Sequence, residues 1–439
     1  MTDNLPERVD LAVIGGGPAG STLASLVAAQ GHSVLVLEKD QHPRFHIGES
    51  LLPHNMKIFQ RLGLVDEVRA IGVDKMGVDF TSDDESEALQ EFRFADALDP
   101  APGCEQAFQV RRSDFDRLLF EHAGRSGACL MTGARVRDID FDTGADPVLQ
   151  VALADSEQTV SARFVVDASG RDALLARKFG LQQRNRQHGT AALYGHFRQV
   201  PRRAGDSAGN ISIYWFDQGW IWMIPLPDGV MSVGAVCNPD YLRGRRGDVD
   251  AFFRATIGRN PAAAERIAAA ERISEITATG NYSYHSRQLA GERWLMVGDA
   301  GVFVDPVFSS GVFFGMHSAE CGADVVLAEL AGDQAAARQA RRRHRARVSR
   351  GVRELSWFIY RFPAPGLRRL FLNPHNVFGI KQAVISVLAG DVFDNARVFW
   401  RLRLFRLIYS VTSLGQWRSA WRARRQRLRN AQVVFDRAS

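Results

Sequence analysis

Cysteine is scarce, with four in 439 residues at positions 104, 129, 237 and 321, spaced too widely to read as a disulfide framework or a set of metal ligands. Their wide spacing shows no ligand pairing, and buried thiols with no bound metal are expected. Long apolar runs are also missing. No stretch reaches the roughly 18 uninterrupted apolar residues of a membrane span. Residues 1–10 are polar and acidic rather than leader-like, so a cytoplasmic protein with no integral membrane segment is expected. Acidic residues are scarce in one region only. Residues 331–439 hold 23 Lys and Arg against 5 Asp and Glu, a net +18, whereas the first 330 hold 32 against 44, a net −12. Such a basic quarter suits an acidic partner, an anionic membrane surface or nucleic acid, with a solvated Arg-rich helical surface as the default.

What is present is ordinary globular composition, 46% hydrophobic and 24% charged, in a chain long enough for two or three domains. The most informative stretch is residues 9–38. An apolar run at 11–14 reads as a buried strand, Gly15-Gly16-Gly17-Pro18-Ala19-Gly20 as a turn, residues 21–30 as a small-residue helix, and 33–37 as a second buried strand closed by Glu38. This is a dinucleotide fingerprint in its setting. Gly15 permits the tight turn, Gly17 lets the backbone approach a pyrophosphate, and Gly20 lets helix and strand lie close, while Glu38 accepts from ribose hydroxyls.

Further along, Gly48-Glu49-Ser50 bends between apolar flanks, as a ligand-touching strap or a plain surface turn would. Helices are expected at 55–62 and 65–71, each followed by glycine, with Lys75 just beyond. The acidic stretch 79–107 suits inserted hairpins. A helix with Ser113 as its N-cap should follow, then paired strands at 134–141 and 148–153 and a buried strand at 163–166. Alternation at 194–198, 211–216, 220–225 and 230–236 predicts an antiparallel sheet. Residues 257–275 read as helix, 294–297 as a buried strand, and 312–330 as a long helix. The basic quarter repeats apolar residues at helical spacing, in Leu355, Phe358, Ile359 and Phe362 and again in Val398, Leu402 and Phe405, broken at Pro363–Gly366.

Three separated pieces would build one flavin site: the fingerprint (Gly15, Gly17, Ala19, Gly20) with Glu38, the region from Arg112 to Asp116, and Gly298-Asp299-Ala300. Their order resembles the FAD-dependent monooxygenases and reductases. Two more stretches, Trp220-Ile221-Trp222-Met223-Ile224-Pro225 and Asp305-Pro306-Val307-Phe308-Ser309-Ser310-Gly311, together with Lys75, resemble the flavin-dependent halogenases over roughly residues 8–330. The resemblance implies an α/β protein: an FAD-binding, doubly wound three-layer domain (1–78, 105–180, 290–330), an inserted antiparallel sheet and substrate region (79–104, 181–289), and a basic C-terminal helical lobe (331–439).

It also implies a chemistry. Reduced FAD, O2 and chloride or bromide yield hypohalous acid, which travels through a tunnel to the Lys75 amine beside an electron-rich aromatic substrate. Ser50 and Gly311 join the cofactor-binding set, and the amides of Ser310 and Gly311 form the halide site. Trp220, Trp222 and Phe308 screen the flavin, although two indoles on one strand face also suit plain core packing. Only one complete fingerprint is present, so reduced FAD is expected from a partner flavin reductase. Phe308 is a departure. The tryptophan-halogenating branch carries a glutamate there, and its absence points to phenols, pyrroles or aromatics tethered to an acyl carrier protein. Nucleic acid is not an expected partner. The competing readings are an aromatic monooxygenase, a geranylgeranyl-type reductase, or a flavoprotein that binds a carrier or membrane without catalysis.

Overall fold

The computed structural model describes residues 4–82, 89–185, 189–245, 247–281, 283–305, 307–374, 376–415 and 417–432. Apolar residues run almost unbroken through β1 (Arg8–Ile14) and β2 (Val34–Glu38), which places both at the centre of a parallel sheet covered on two faces. The crossover between them is α1 (Pro18–Ala28). On the far side of β1 lies the strand Glu157–Asp167, then Trp294–Met296; on the far side of β2 lies Cys129–Thr132. Ile14 stands level with Leu37 and Asp167, and Asp167 with Met296. The carboxyl ends of four parallel strands therefore open on one edge, the place where such sheets form a crevice.

After β2 the chain lays down β3 (Gly72–Lys75), β4 (Gly77–Thr81), β5 (Leu89–Arg93) and β6 (Ala107–Val110). β3 and β6 pair as a separate antiparallel ribbon. β4 and β5 extend a second sheet made of Thr190–Arg198, Met231–Cys237, Gly219–Pro225 and Ile211–Phe216. That sheet is antiparallel except where β4 runs parallel to Ile211–Phe216.

Helices Gln334–Ile359, Pro365–Leu372, Ile380–Leu388, Ala396–Gly415 and Trp417–Asn430 form the basic quarter. Their inner face carries Phe358, Phe362 and Phe371 onto the second sheet, where Phe371 meets Phe80 at 5.2 Å between ring centroids and Phe362 meets Trp215 at 5.2 Å. Leu355, Ile359, Val398, Leu402 and Phe405 are buried with them.

Four expectations are corrected. Residues 257–275 form no single helix: Val249–Ile257 stops, Asn260 caps a new helix by accepting from the Ala263 amide, and Pro261 begins it. Ser113 is not a cap, because the helix Arg112–Arg125 starts with Arg111 in that role and no side-chain cap. The long helix is Ser310–Leu330, two residues earlier than expected, entered through Ser309 at φ +57°. Cys104, Cys237 and Cys321 are buried, but Cys129 is exposed because it opens the edge strand of the first sheet. Pro306 lies outside the described residues. Among the described residues no helix is long and apolar enough to cross a membrane.

The tightest approach between α1 and the turn after β1 is at Gly20, where an added Cβ would stand 1.9 Å from the Gly15 carbonyl oxygen. Gly20→Ala should therefore lower unfolding free energy by about 1–3 kcal/mol in urea titrations. Gly17→Ala, whose Cβ would meet nothing nearer than Arg44 at 3.6 Å, should leave it within about 0.5 kcal/mol.

Candidate active site

The crevice is a cavity of about 500 Å³. Its floor is the turn after β1. Gly15 sits at φ +104°, where an added Cβ would come within 2.4 Å of the Ala168 carbonyl oxygen. Gly15 and Gly20 thus pack backbone on backbone, whereas Gly17 leaves bare backbone facing the cavity at the amino end of α1. Ala19 lines the same wall, and a Cβ at Gly298 would lie 3.1 Å from its own. Glu38, buried at the end of β2, accepts from the Gly16 amide at 2.7 Å and the Asp40 amide at 2.9 Å. Its carboxylate holds the turn, and the residue also lines the cavity.

Sequence reasoning missed Arg44. Its guanidinium lies 3.6 Å from Glu38 and 4.0 Å from Asp116, on the open side of Gly17, with Nε buried, making no hydrogen bond and 4.0 Å from Asp40. A cation there faces the place a pyrophosphate would take. A single arginine in a polar connection carries no signal of that. Arg171, which donates to Thr279 and Gly280 while lining the cavity, was equally silent.

Across the cavity runs the strap of residues 46–50. Arg112 donates to both carboxylate oxygens of Asp116, at 2.7 and 2.9 Å, and to the Ile47 carbonyl at 2.6 Å. The fork fixes the guanidinium, and the guanidinium fixes the strap. Asp299 comes from the turn Gly298–Ala300, just past the strand Trp294–Met296, and lines the cavity. Burial raises its carboxyl to about 6, with Arg171 and Arg112 pulling the other way.

Lys75 closes β3 and is 1% exposed. Its ammonium donates to the Ser50 hydroxyl and the Leu51 carbonyl, both at 2.9 Å, and stands 5.2 Å from the centre of the Phe94 ring. No carboxylate pairs with it among the described residues, and burial lowers the amine to about 7. Lys75 does not itself line the cavity, but Ser50 does, so one hydroxyl separates the two.

Trp220 and Trp222 line the cavity on one strand face, 5.8 Å apart between ring centroids. Trp222 lies over Gly234, where a Cβ would come within 2.2 Å of the indole, and donates to Ser232 at 3.2 Å. Phe308 does not line the cavity; it packs against Phe358 and Phe362 of the helical lobe. Ser310 and Gly311 open the long helix. Gly311 faces the cavity with nothing within 4 Å of a Cβ, and the Ser310 hydroxyl is buried without a partner. Among the described residues no cluster is placed to hold a metal.

A bare helix start with a nearby arginine, acceptors at Glu38 and Asp299, and an indole-lined wall fit a dinucleotide that carries a broad flat ring. Comparison with known proteins agrees. The family described as FAD binding domain matches residues 8–351. A 1H-pyrrole-2-carbonyl-[peptidyl-carrier protein] chlorinase from Pseudomonas fluorescens is 28% identical over 424 residues, covering 92% of this chain and 94% of that protein. The crystal structure of a flavoprotein/dehydrogenase from Cytophaga hutchinsonii superposes with a TM-score of 0.85 at 31% identity, covering 93% of this chain and all of that one. The myxobacterial chondrochloren halogenase CndH, an FAD-dependent halogenase, gives a TM-score of 0.75 at 35% identity, covering 81% and 83%.

Because Asp299 gains a proton below about pH 6, and only the carboxylate is purely an acceptor, FAD affinity should weaken about tenfold from pH 7 to pH 5. Asp299→Asn should flatten that dependence in fluorescence titrations. The raised carboxyl means the folded FAD-free protein binds more protons than the unfolded chain between about pH 4 and 6, so its stability falls as pH rises through that window. FAD-free Asp299→Asn should accordingly melt higher than wild type at pH 7 and no higher at pH 4.

Proposed function

This chain belongs to the flavin-dependent halogenases within the FAD-binding-domain family, and from that premise we propose that Lys75 relays hypohalous acid to an electron-rich aromatic ring. The observation that carries the reading is a wholly buried amine with no acidic partner among the described residues, hydrogen-bonded to a serine whose other side is the FAD cavity. Bound reduced FAD, delivered by a partner flavin reductase, supplies the oxygen activation that turns chloride or bromide into hypohalous acid. The chain supplies containment. The amides of Ser310 and Gly311 hold the halide at the amino end of a 21-residue helix, whose dipole favours an anion there. The Ser310 hydroxyl, buried and unpartnered, is a further donor toward it.

Trp220 and Trp222 line the cavity and would keep an organic substrate from a flavin ring bound there, and Ser50, which also lines it and is hydrogen-bonded to Lys75, marks the side on which a small oxidant would pass. An amine lowered to about 7 is present in both protonation states at neutral pH. The ammonium can hydrogen-bond the oxidant, and the free amine can take the halogen as a chloramine. Phe308, held among Phe358 and Phe362, offers the lysine no carboxylate. The substrate ring must then bring its own activation, as phenols and pyrroles do.

A relative that chlorinates a pyrrole on a peptidyl carrier supports a tethered substrate. Carrier proteins are acidic, and the basic lobe supplies the complementary field. Arg341 is committed to Glu329, but Arg342, Arg343, Arg424 and Arg425 are exposed.

Lys75→Met should cut halogenated product at least 100-fold while FAD affinity stays within threefold of wild type and free hypohalous acid appears in a thioether trap. Loss of FAD binding in its place would make the lysine structural. Charge reversal at Arg342, Arg343, Arg424 and Arg425 should weaken binding of a substrate-loaded acidic carrier about tenfold and flatten its salt dependence, without changing turnover of a small phenol.

A further inference from the structure

Glu49, the middle residue of the strap's Gly-Glu-Ser, has no part in the chemistry above, yet it is a carboxylate at 1% exposure in the cavity wall. One oxygen lies 2.7 Å from His196 Nε2, and the other, Oε2, is buried with no partner. His196 belongs to the strand Thr190–Arg198 and keeps 16% of its side chain exposed. Its ring meets Phe45 edge-on at 5.4 Å, and Phe45 is 53% exposed. Glu49 and His196 thus form an unbroken two-member path from the protein surface to an unsatisfied oxygen at the cavity. Arg112 and Tyr194 also feel the Glu49 charge, and among the described residues neither is hydrogen-bonded to it.

Halide oxidation needs such a path. X−, O2, H+ and the two-electron reductant FADH2 leave as HOX, H2O and FAD: the O–O bond breaks, an O–X bond forms, and the departing oxygen takes the added proton to leave as water. One proton must enter the cavity in every turnover, and the wall made by Trp220, Trp222, Ile211 and Ile224 holds no group that can supply it. We propose that Glu49 is the proton donor at the cavity and His196 the group that reloads it from solvent. This inference rests on the halogenase reading but concerns formation of the oxidant, a step before its delivery by Lys75. A carboxylate is suited to the task because it carries one proton at a time and its second oxygen stays tied to the reloading imidazole, which holds the donor in place.

The test compares Glu49→Gln, which keeps the shape and the hydrogen bond but carries no transferable proton, with the wild-type chain, using chemically reduced FAD. Glu49→Gln should form free hypohalous acid at least tenfold more slowly in the thioether trap, with FAD affinity by fluorescence within threefold of wild type. His196→Ala should show the Glu49→Gln defect and recover severalfold in added imidazole, a rescue that a merely structural role does not give, and it serves alone if Glu49→Gln does not fold. Wild-type hypohalous acid formation in Glu49→Gln, a loss of FAD affinity matching the loss of rate, or absence of imidazole rescue would overturn the proposal. Absence of hypohalous acid from the wild-type chain itself would instead count against the halogenase reading on which the proposal rests.

Discussion

Keeping one primary amine out of water is the constraint on which the rest of this molecule turns. Lys75 has a hydroxyl and a carbonyl to donate to and a phenylalanine ring nearby, but no anion to balance it among the described residues. Burying an unpaired ammonium costs several kcal/mol, and the protein relieves the cost by letting the proton go at about pH 7 instead of 10.5. Stability and reactivity are therefore two views of one arrangement. A carboxylate placed beside Lys75 would stabilise the fold and hold the amine charged, which would remove its nucleophilic form. Removing the Phe94 ring would hydrate it to the same effect.

The strap links that amine to the cavity. Four consecutive residues each spend a different group: Ile47 its carbonyl on Arg112, Gly48 its backbone freedom at φ +107°, Glu49 its carboxylate on His196, and Ser50 its hydroxyl on Lys75. A Cβ at position 48 would stand 2.9 Å from the Arg112 guanidinium, so the turn and the ion pair behind it are mutually dependent. Ser50 also bridges to Gln109 on β6, which fastens the strap to the ribbon that carries Lys75. A movement of the strap would thus shift the cavity wall and the amine's acceptor together.

Much of this was legible because it depends on local order along the chain. The fingerprint is a turn between two buried strands, and composition and period show it directly. Paired tryptophans on one strand face follow from a period of two. What stayed hidden was fixed by distant partners. Arg44 and Arg171 gain meaning from the cavity, and the Glu49–His196 pair joins residues 147 apart. Phe308 could be seen to lack a carboxylate, but its turn away from the cavity toward Phe358 and Phe362 depends on a lobe whose docking no local pattern shows. Boundary errors had local causes that were misweighed. Asn260-Pro261 was a cap and helix start inside an apparently continuous helix, and Ser113 read as a cap when the helix had already begun.

The basic quarter shows why net charge alone is a poor guide to what a region does. With 5 acids against 23 Lys and Arg, its helices repel one another, and their cohesion has to come from the aromatic residues they share with the second sheet. Many of the arginines also serve that packing: Arg361 lies 4.5 Å from the Trp357 ring, Arg406 pairs with Glu354, and Arg350 and Arg427 donate to the carbonyls of Phe393 and Tyr360. Only the exposed remainder is available as a field for a partner. The lobe is held by its inner face, and that same face supplies Phe358 and Phe362 around Phe308 and Phe371 against Phe80, within the hydrophobic core that also includes Phe94 beside the buried amine. The exposed arginines and the aromatic face that holds the lobe to the second sheet therefore lie on opposite sides of the same helices.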